Sequence, residues 1–247
     1  MSAIQAGSRV GQLLASLEPA DRLVALARVL HREGYDDHTT GHITYRQPDG
    51  TFLLNPFELQ WDELRSSDVL RMDADGNQLD GQHTITPAIT LHLELHRARP
   101  NLHVAVHGHP RWATAWACAH RVPPVYDQTS ALAGRHVAVH QEYGGSVDAV
   151  ANARSAVDGL GEADIALLGN HGVFVVAPSI EAAYMRASTI EWRARRAWQV
   201  DQIGGGVALA DHVVDLLHAY VEEHIAEFPT FEGMIRAELR RDPDMFT

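Results

Sequence analysis

The segment Leu102-His-Val-Ala-Val-His-Gly-His-Pro110 combines the pattern of a buried strand with two closely spaced histidines. In an extended strand, residues i and i+2 point the same way, so His107 and His109 can offer two imidazoles to one point in space. His171 lies in a second apolar run, Ala166–Val176, whose glycines allow a tight bend toward that point. Together these residues predict a three-histidine site with open positions, which is the form of a catalytic metal site. Unrelated surface or core histidines are the alternative in a chain with 16 histidines, and spacing alone does not decide between the two.

The composition limits both the compartment and the partners. The chain of 247 residues is 45% hydrophobic and can bury a full core, so we expect one domain spanning residues 1–247. Its formal net charge of −12 disfavours nucleic acid or an anionic membrane surface as a partner. A single cysteine fits a reducing compartment, and the sequence contains neither a signal-peptide pattern nor an apolar run of about 18 residues. We therefore expect a soluble, cytoplasmic protein.

Strand and helix patterns are interleaved along the chain, but hairpin signals are as frequent as those of strand–helix–strand units. This predicts an α/β fold with a mixed, mainly antiparallel sheet covered by helices. The predicted helices cover residues 8–33 with a break at Pro19, Pro87–Ala98, Arg111–Cys118, Val147–Leu160, Ile180–Gln199 and about 209–225. The predicted strands cover residues 43–45, 51–55, 69–72, Leu102–His107, Val137–Val139, Ile165–Leu168 and Val173–Val176.

A set of short motifs occurs in a specific order along the chain. They are Thr40-Gly-His-Ile-Thr-Tyr-Arg46, Phe52-Leu-Leu-Asn-Pro56, Ser67-Asp68, His96-Arg-Ala-Arg-Pro100, the His107/His109 pair and Asn170-His-Gly172. In combination they resemble the class II aldolase/adducin family, over about residues 20–200. The resemblance implies an α/β/α three-layer sandwich, usually a four-fold symmetric tetramer with sites at subunit interfaces. It also implies a divalent metal on the three matching histidines, zinc in the sugar-phosphate aldolases and manganese, cobalt or iron in relatives.

Two departures from the family pattern bear on the chemistry. In the aldolases a glutamate at the start of the helix before the histidine pair is the fourth ligand and moves protons, and here Ala88 stands in its place. Thr86-Pro87 replaces two phosphate-binding serines, and Pro56-Phe57 replaces part of a phosphate loop, so a phosphorylated sugar is disfavoured. Pro87-Ala88 is similar to the adducin-like branch, which includes decarboxylases of aromatic or pyridine carboxylic acids, an iron-dependent oxygenase and the non-catalytic adducin head.

Further candidate residues lie outside the three histidines. His42 replaces a substrate-facing asparagine of the aldolases and could bind a carboxylate or act as an acid or base, although a solvent-facing loop histidine is an equal alternative. Gln128 and Tyr143 fall where the family reaches into a neighbouring subunit's site, and a core tyrosine is the competing interpretation of Tyr143. His92 and His96, four apart on one helix face, are more simply structural than metal-binding.

These observations favour a metal-dependent carbon–carbon lyase that acts on a small non-phosphorylated hydroxy or oxo acid through a metal-stabilised enolate. Decarboxylation agrees better with Ala88 than aldol cleavage does, because loss of CO2 needs no base to remove a hydroxyl proton. A non-haem Fe(II) oxygenase acting on an aromatic oxo or hydroxy acid is the second hypothesis. A catalytically silent, adducin-like assembly module is the third, and the presence of all three histidines speaks against it.

Overall fold

The computed structural model describes residues 11–142, 144–145 and 148–247 and has an eight-stranded sheet at its centre. The strands are β1 His42–Arg46, β2 Phe52–Leu54, β3 Leu70–Met72, β4 Gln78–Asp80, β5 Val104–Gly108, β6 Val137–His140, β7 Ile165–Leu168 and β8 Gly172–Ala177. Their order across the sheet is β4-β3-β2-β1-β5-β8-β7-β6. Each neighbouring pair is antiparallel except β6 and β7, which are parallel. The predicted mixed, mainly antiparallel sheet is confirmed.

Helices cover both faces of this sheet. In the described part of the chain they are α1 Gln12–Ser16, α2 Pro19–Arg32, α3 Ile89–Ala98, α4 Arg111–Cys118, α5 Gln128–Ala131, α6 Val150–Leu160, α7 Ile180–Gln202, α8 Asp211–Glu223 and α9 Thr230–Arg241. Helix α2 starts with Pro19 in its first turn, where the missing N–H costs nothing, and buries the continuous run Leu23–Leu30. The break predicted at this proline is confirmed.

Alternation along the central strands assigns their side chains to two separate core layers. Val104 and Val106 of β5 pack with α2, α4 and α7, whereas Ala105 packs with α3 and α6. Strand β8 alternates in the same way, with Val175 in the first layer and Phe174 in the second. Because successive strand residues point to opposite faces, both faces of a central strand must be apolar. The result is the α/β/α three-layer sandwich that the resemblance implied.

Strand register sets the position of the candidate site. The antiparallel pairing of β1 with β5 places His42 directly opposite His107, and the pairing of β5 with β8 places Phe174 on the other side of His107. Directly opposed residues in an antiparallel pair share one face of the sheet. His42, His107 and Phe174 therefore lie side by side on the face that α3 and α6 cover.

Three elements were not predicted from the sequence: β4, α5 and α9. All three residues of β4 are exposed at the sheet edge, so no apolar alternation marks this strand. Helix α5 is only four residues long, and α9 contains Gly233 and many charged residues, which weaken the helical signal. Among the described residues, no helix combines the length and apolarity needed to cross a membrane.

Candidate metal centre

The three histidines of the predicted metal site lie together. One ring nitrogen from each of His107, His109 and His171 lies within 4.8 Å of the corresponding nitrogens of the other two. The ring centroids are 5.1 Å apart for His107 and His109, 4.7 Å for His107 and His171, and 5.1 Å for His109 and His171. His107 is buried, and the other two are partly exposed. The arrangement has a closed side toward the sheet and an accessible side toward solvent.

A tight turn directs His171 toward the other two histidines. The backbone N–H of His171 donates to the carbonyl of Leu168, and Asn170 takes up a left-handed conformation with φ 54° between them. The next residue, Gly172, lies against His109: a Cβ atom on this glycine would come within 2.4 Å of the His109 ring and 2.6 Å of a β5 carbonyl oxygen. Absence of a side chain at Gly172 therefore permits the close approach of the two ligand segments.

Acceptor groups behind the site fix the orientation of two of the rings. His107 donates its Nδ1–H to the backbone carbonyl of Val173, at 3.0 Å, and His109 donates its Nδ1–H to a carboxylate oxygen of Asp37, at 2.9 Å. In both rings Nε2 is therefore the atom that carries a free lone pair. Nε2 of His109 is buried without a hydrogen-bond partner in the described structure. A buried, unsatisfied imidazole nitrogen beside two others fits a divalent metal ion.

The pKa directions agree with a set of neutral ligands. Burial lowers the pKa of His107 well below the usual histidine range, and it lowers the pKa of His171 to about 4. The positive charge of neighbouring histidines acts in the same direction. Both imidazoles are therefore uncharged near neutral pH, which is the protonation state that binds a metal.

His42 lies beside this cluster. Its ring centroid is 4.8 Å from that of His107, and only 4% of His42 is exposed. Its Nδ1 is hydrogen-bonded to Nε2 of His92, at 2.8 Å. The alternative of a solvent-facing loop histidine is therefore wrong, whereas a catalytic role for His42 stays a prediction.

The sequence profile of the Class II Aldolase and Adducin N-terminal domain matches residues 21–198. The chain belongs to the class II aldolase/adducin family.

Three relatives show the range of this family. A Streptomyces roseochromogenus subsp. oscitans protein named 4-hydroxy-3-prenylphenylpyruvate oxygenase/4-hydroxy-3-prenylbenzoate synthase is 27% identical over 87% of this chain and 79% of its own length. The 3,4-dihydroxyphthalate decarboxylase of Arthrobacter keyseri is 30% identical over 76% of this chain and 81% of its own length. The crystal structure of an aldolase II superfamily protein from Pseudomonas syringae matches with a TM-score of 0.80 and 23% identity, over 95% of this chain and 99% of that chain, which shows the shared fold.

The remaining predicted site residues of this class II aldolase/adducin chain are placed as follows. Gln128 is exposed at the start of α5, a helix that packs on α7 and α8. No contact within the described residues brings Gln128 to the three histidines, so its role depends on the predicted neighbouring subunit. Tyr143 lies outside the described residues. Ala88 caps the start of α3 and packs against the layer that contains Phe174.

Several groups around the metal centre were not predicted from the sequence. Asp37, which orients His109, follows Gly34 in a connecting segment, and no motif indicates that it approaches a residue on β5. A pocket next to His171 is lined by Glu142, Asn152 and Ser155, polar residues suited to a polar ligand. The hydrogen bond between His42 and His92 joins β1 to α3, and no local motif in the sequence indicates it.

Introducing the glutamate that the resemblance implies for the family's aldolases tests whether the start of α3 faces the candidate metal site. We expect Ala88→Glu to tighten metal binding by about tenfold, because a carboxylate at this position would add a fourth ligand. The measurement is competition with a chelator for zinc, with Ala88→Gln as the control of the same size without the charge. Equal affinities in Ala88→Glu and the unmodified protein would mean that the start of α3 does not face the metal.

Proposed function

We propose that this chain is a metal-dependent carbon–carbon lyase that acts on a small, non-phosphorylated hydroxy or oxo acid, by decarboxylation in preference to aldol cleavage. The observation that carries the proposal is the convergence of three imidazole nitrogens, together with an alanine where the family's aldolases have a glutamate. His107, His109 and His171 would hold the metal, and the proposed ion is zinc, with manganese, cobalt and iron as alternatives.

A divalent cation in this site supplies a Lewis acid that stabilises negative charge on a substrate oxygen. The protein's part is to hold the ligand rings in place. Val173 and Asp37 do this by accepting the Nδ1–H groups of His107 and His109. Because these two rings cannot rotate without losing their hydrogen bonds, the open side of the site keeps a fixed direction toward the substrate.

Ala88 favours decarboxylation because its methyl group cannot move a proton. Aldol cleavage starts with removal of a hydroxyl proton from the substrate, and the aldolases' glutamate is absent from this chain. Decarboxylation releases CO2 and leaves an electron pair on carbon, and that carbon then needs only a proton. Tyr143 is the proposed proton donor to that carbon. His42 is proposed to contact the substrate's hydroxyl group, and Gln128 is proposed to bind the substrate.

Hydrogen bonds around β2 support a substrate without a phosphate group. Asn55 donates to the carbonyls of Gly41 and Pro56 and accepts from the N–H of Ile43, so its side chain is fully used in holding the loop. The N–H of Phe57 donates to the carbonyl of Thr84. These donors are therefore committed within the protein and are not available to an anion.

The names of two relatives support testing aromatic hydroxy acids first as substrates. One is named a dihydroxyphthalate decarboxylase, and another is named both an oxygenase and a synthase of a prenylated hydroxybenzoate. Because the second name includes an oxygenase, an oxygenase that uses Fe(II) on the three histidines is the alternative proposal. We further propose that the chain is a single cytoplasmic domain that assembles as a homotetramer, so that Gln128 and Tyr143 reach a neighbouring subunit's site.

An assay without dioxygen separates the two enzyme classes. We expect the zinc- or manganese-loaded protein to release CO2 from a hydroxy or oxo acid under anaerobic conditions, since the lyase reaction consumes no oxidant. The measurement is CO2 and product analysis over a panel of aromatic hydroxy acids, with metal-stripped protein as the control. Turnover only with iron and dioxygen would identify the oxygenase instead. Failure to bind zinc, manganese or iron would identify a non-catalytic module.

A further inference from the structure

A continuous line of hydrogen bonds runs through the protein interior from a backbone carbonyl to His42. His96 Nδ1 lies 3.2 Å from the carbonyl oxygen of Leu102, and His96 Nε2 lies 2.8 Å from Oγ1 of Thr44. The same Oγ1 lies 2.8 Å from Nδ1 of His92, whose Nε2 lies 2.8 Å from Nδ1 of His42. The side chains of the three histidines and of Thr44 are at most 4% exposed, so water does not compete for these bonds. We call this set the histidine relay: the Leu102 carbonyl and the side chains of His96, Thr44 and His92.

The carbonyl at one end determines the direction of every bond in the relay. A carbonyl can only accept, so His96 carries its proton on Nδ1 and its Nε2 accepts the hydroxyl proton of Thr44. The Thr44 oxygen then accepts from Nδ1–H of His92, which leaves His92 Nε2 as an acceptor. His42 must therefore donate its own Nδ1–H to His92.

This direction requires that each ring carry a single proton, and the surroundings meet that requirement. A second proton on His42 would sit on Nε2 of a residue that is only 4% exposed, where no hydrogen bond to a described protein group compensates for the buried charge. Burial lowers the pKa of His92 well below the usual histidine range, and it lowers the pKa of His96 to about 4, with Arg46 as a further contributor. His92 and His96 are thus neutral near neutral pH.

We propose that the histidine relay is a positioning device that holds His42 in the Nδ1–H tautomer and presents the Nε2 lone pair beside His107. Within the described residues, no protein group hydrogen-bonds to Nε2 of His42. His42 therefore faces the site as a hydrogen-bond acceptor, and it does not bind a carboxylate. Given the proposed lyase function, the substrate group that meets it is a donor, namely the hydroxyl of a hydroxy acid. The relay cannot export protons, because the carbonyl at its end does not take one up.

Nitrogen NMR of the histidine rings tests the proposal without any assay of activity. In protein labelled with ¹⁵N histidine, two-bond proton–nitrogen correlations report which ring nitrogen carries the proton. We expect His42, His92 and His96 all to show protonated Nδ1 and unprotonated Nε2, in metal-free and in zinc-loaded protein. The excess over the other tautomer should be at least about tenfold, because a reversed ring would leave buried groups unsatisfied. A protonated Nε2 on His42 in the wild-type protein would overturn the proposal.

Thr44→Val provides the matched variant, since valine keeps the shape of threonine but removes the hydroxyl that joins two rings. We expect His92 and His42 to show a mixture of tautomers in this variant, and Thr44→Ser to restore the wild-type pattern. An unchanged His42 tautomer in a folded Thr44→Val protein would contradict the relay. The NMR result is independent of the proposed function. The expected tautomers in a protein that releases no CO2 would refute only the lyase. Release of CO2 by a protein whose His42 carries its proton on Nε2 would refute only the relay.

Discussion

His109→Ala is expected to abolish metal binding while the protein remains folded. The substitution removes one of three imidazoles and the buried Nε2 that lacks any partner in the described structure. Removing only an orienting group behind a ligand typically costs 10- to 100-fold in metal affinity, so loss of the ligand itself should cost more than about 100-fold. The fold should survive because His109 follows the end of β5 and is partly exposed, outside both core layers. Metal analysis after zinc loading and circular dichroism of metal-free protein measure the two effects.

Asp37→Asn is the graded control for this prediction. It keeps the size of the side chain but removes the charge on the acceptor of the His109 Nδ1–H, so metal affinity should fall by about 10- to 100-fold and not vanish. Loss of the folded state in metal-free His109→Ala would contradict the prediction, because it would mean that the histidine has a structural role. Retention of zinc at the wild-type affinity would remove His109 from the ligand set.

Local sequence patterns were sufficient to select the three histidines that lie together in the structure, whereas their assignment as metal ligands depends on the resemblance to the family. His107 and His109 are recognisable because the two-residue period of a strand and the following Gly-Pro context lie within one short segment. His171 is recognisable because a glycine on each side of Asn170-His171 breaks an apolar run. Each of these signals spans only a few residues, so no knowledge of strand pairing was needed.

The surroundings of those histidines depend on pairings between distant segments. His42 faces His107 only through the register of β1 on β5, and a shift of one residue would turn His42 to the other face of the sheet. The link from His42 to His96 likewise needs α3 to lie over β1 in one particular position. Asp37 reaches His109 from an irregular segment with no periodic pattern. Residue types alone do not determine such long-range contacts.

Gly172→Ala is expected to damage the fold and the metal site together. The added Cβ would lie 2.4 Å from the His109 ring and 2.6 Å from a backbone oxygen of β5, and the backbone oxygen cannot rotate away as a side chain can. Overpacking of this kind costs about 1–3 kcal/mol, so the melting temperature should fall by several degrees and zinc affinity by at least about tenfold as His109 is displaced.

The matched control is Gly233→Ala in α9, where the nearest atom is a flexible arginine end 3.7 Å from the new Cβ. That change should stabilise the protein by about 0.5–1 kcal/mol and leave zinc binding unaltered. Thermal melts and chelator competition on both variants separate a general loss of stability from the displacement of a ligand. Wild-type zinc affinity in Gly172→Ala would show that the turn carrying His171 can move away from His109 without disturbing the site.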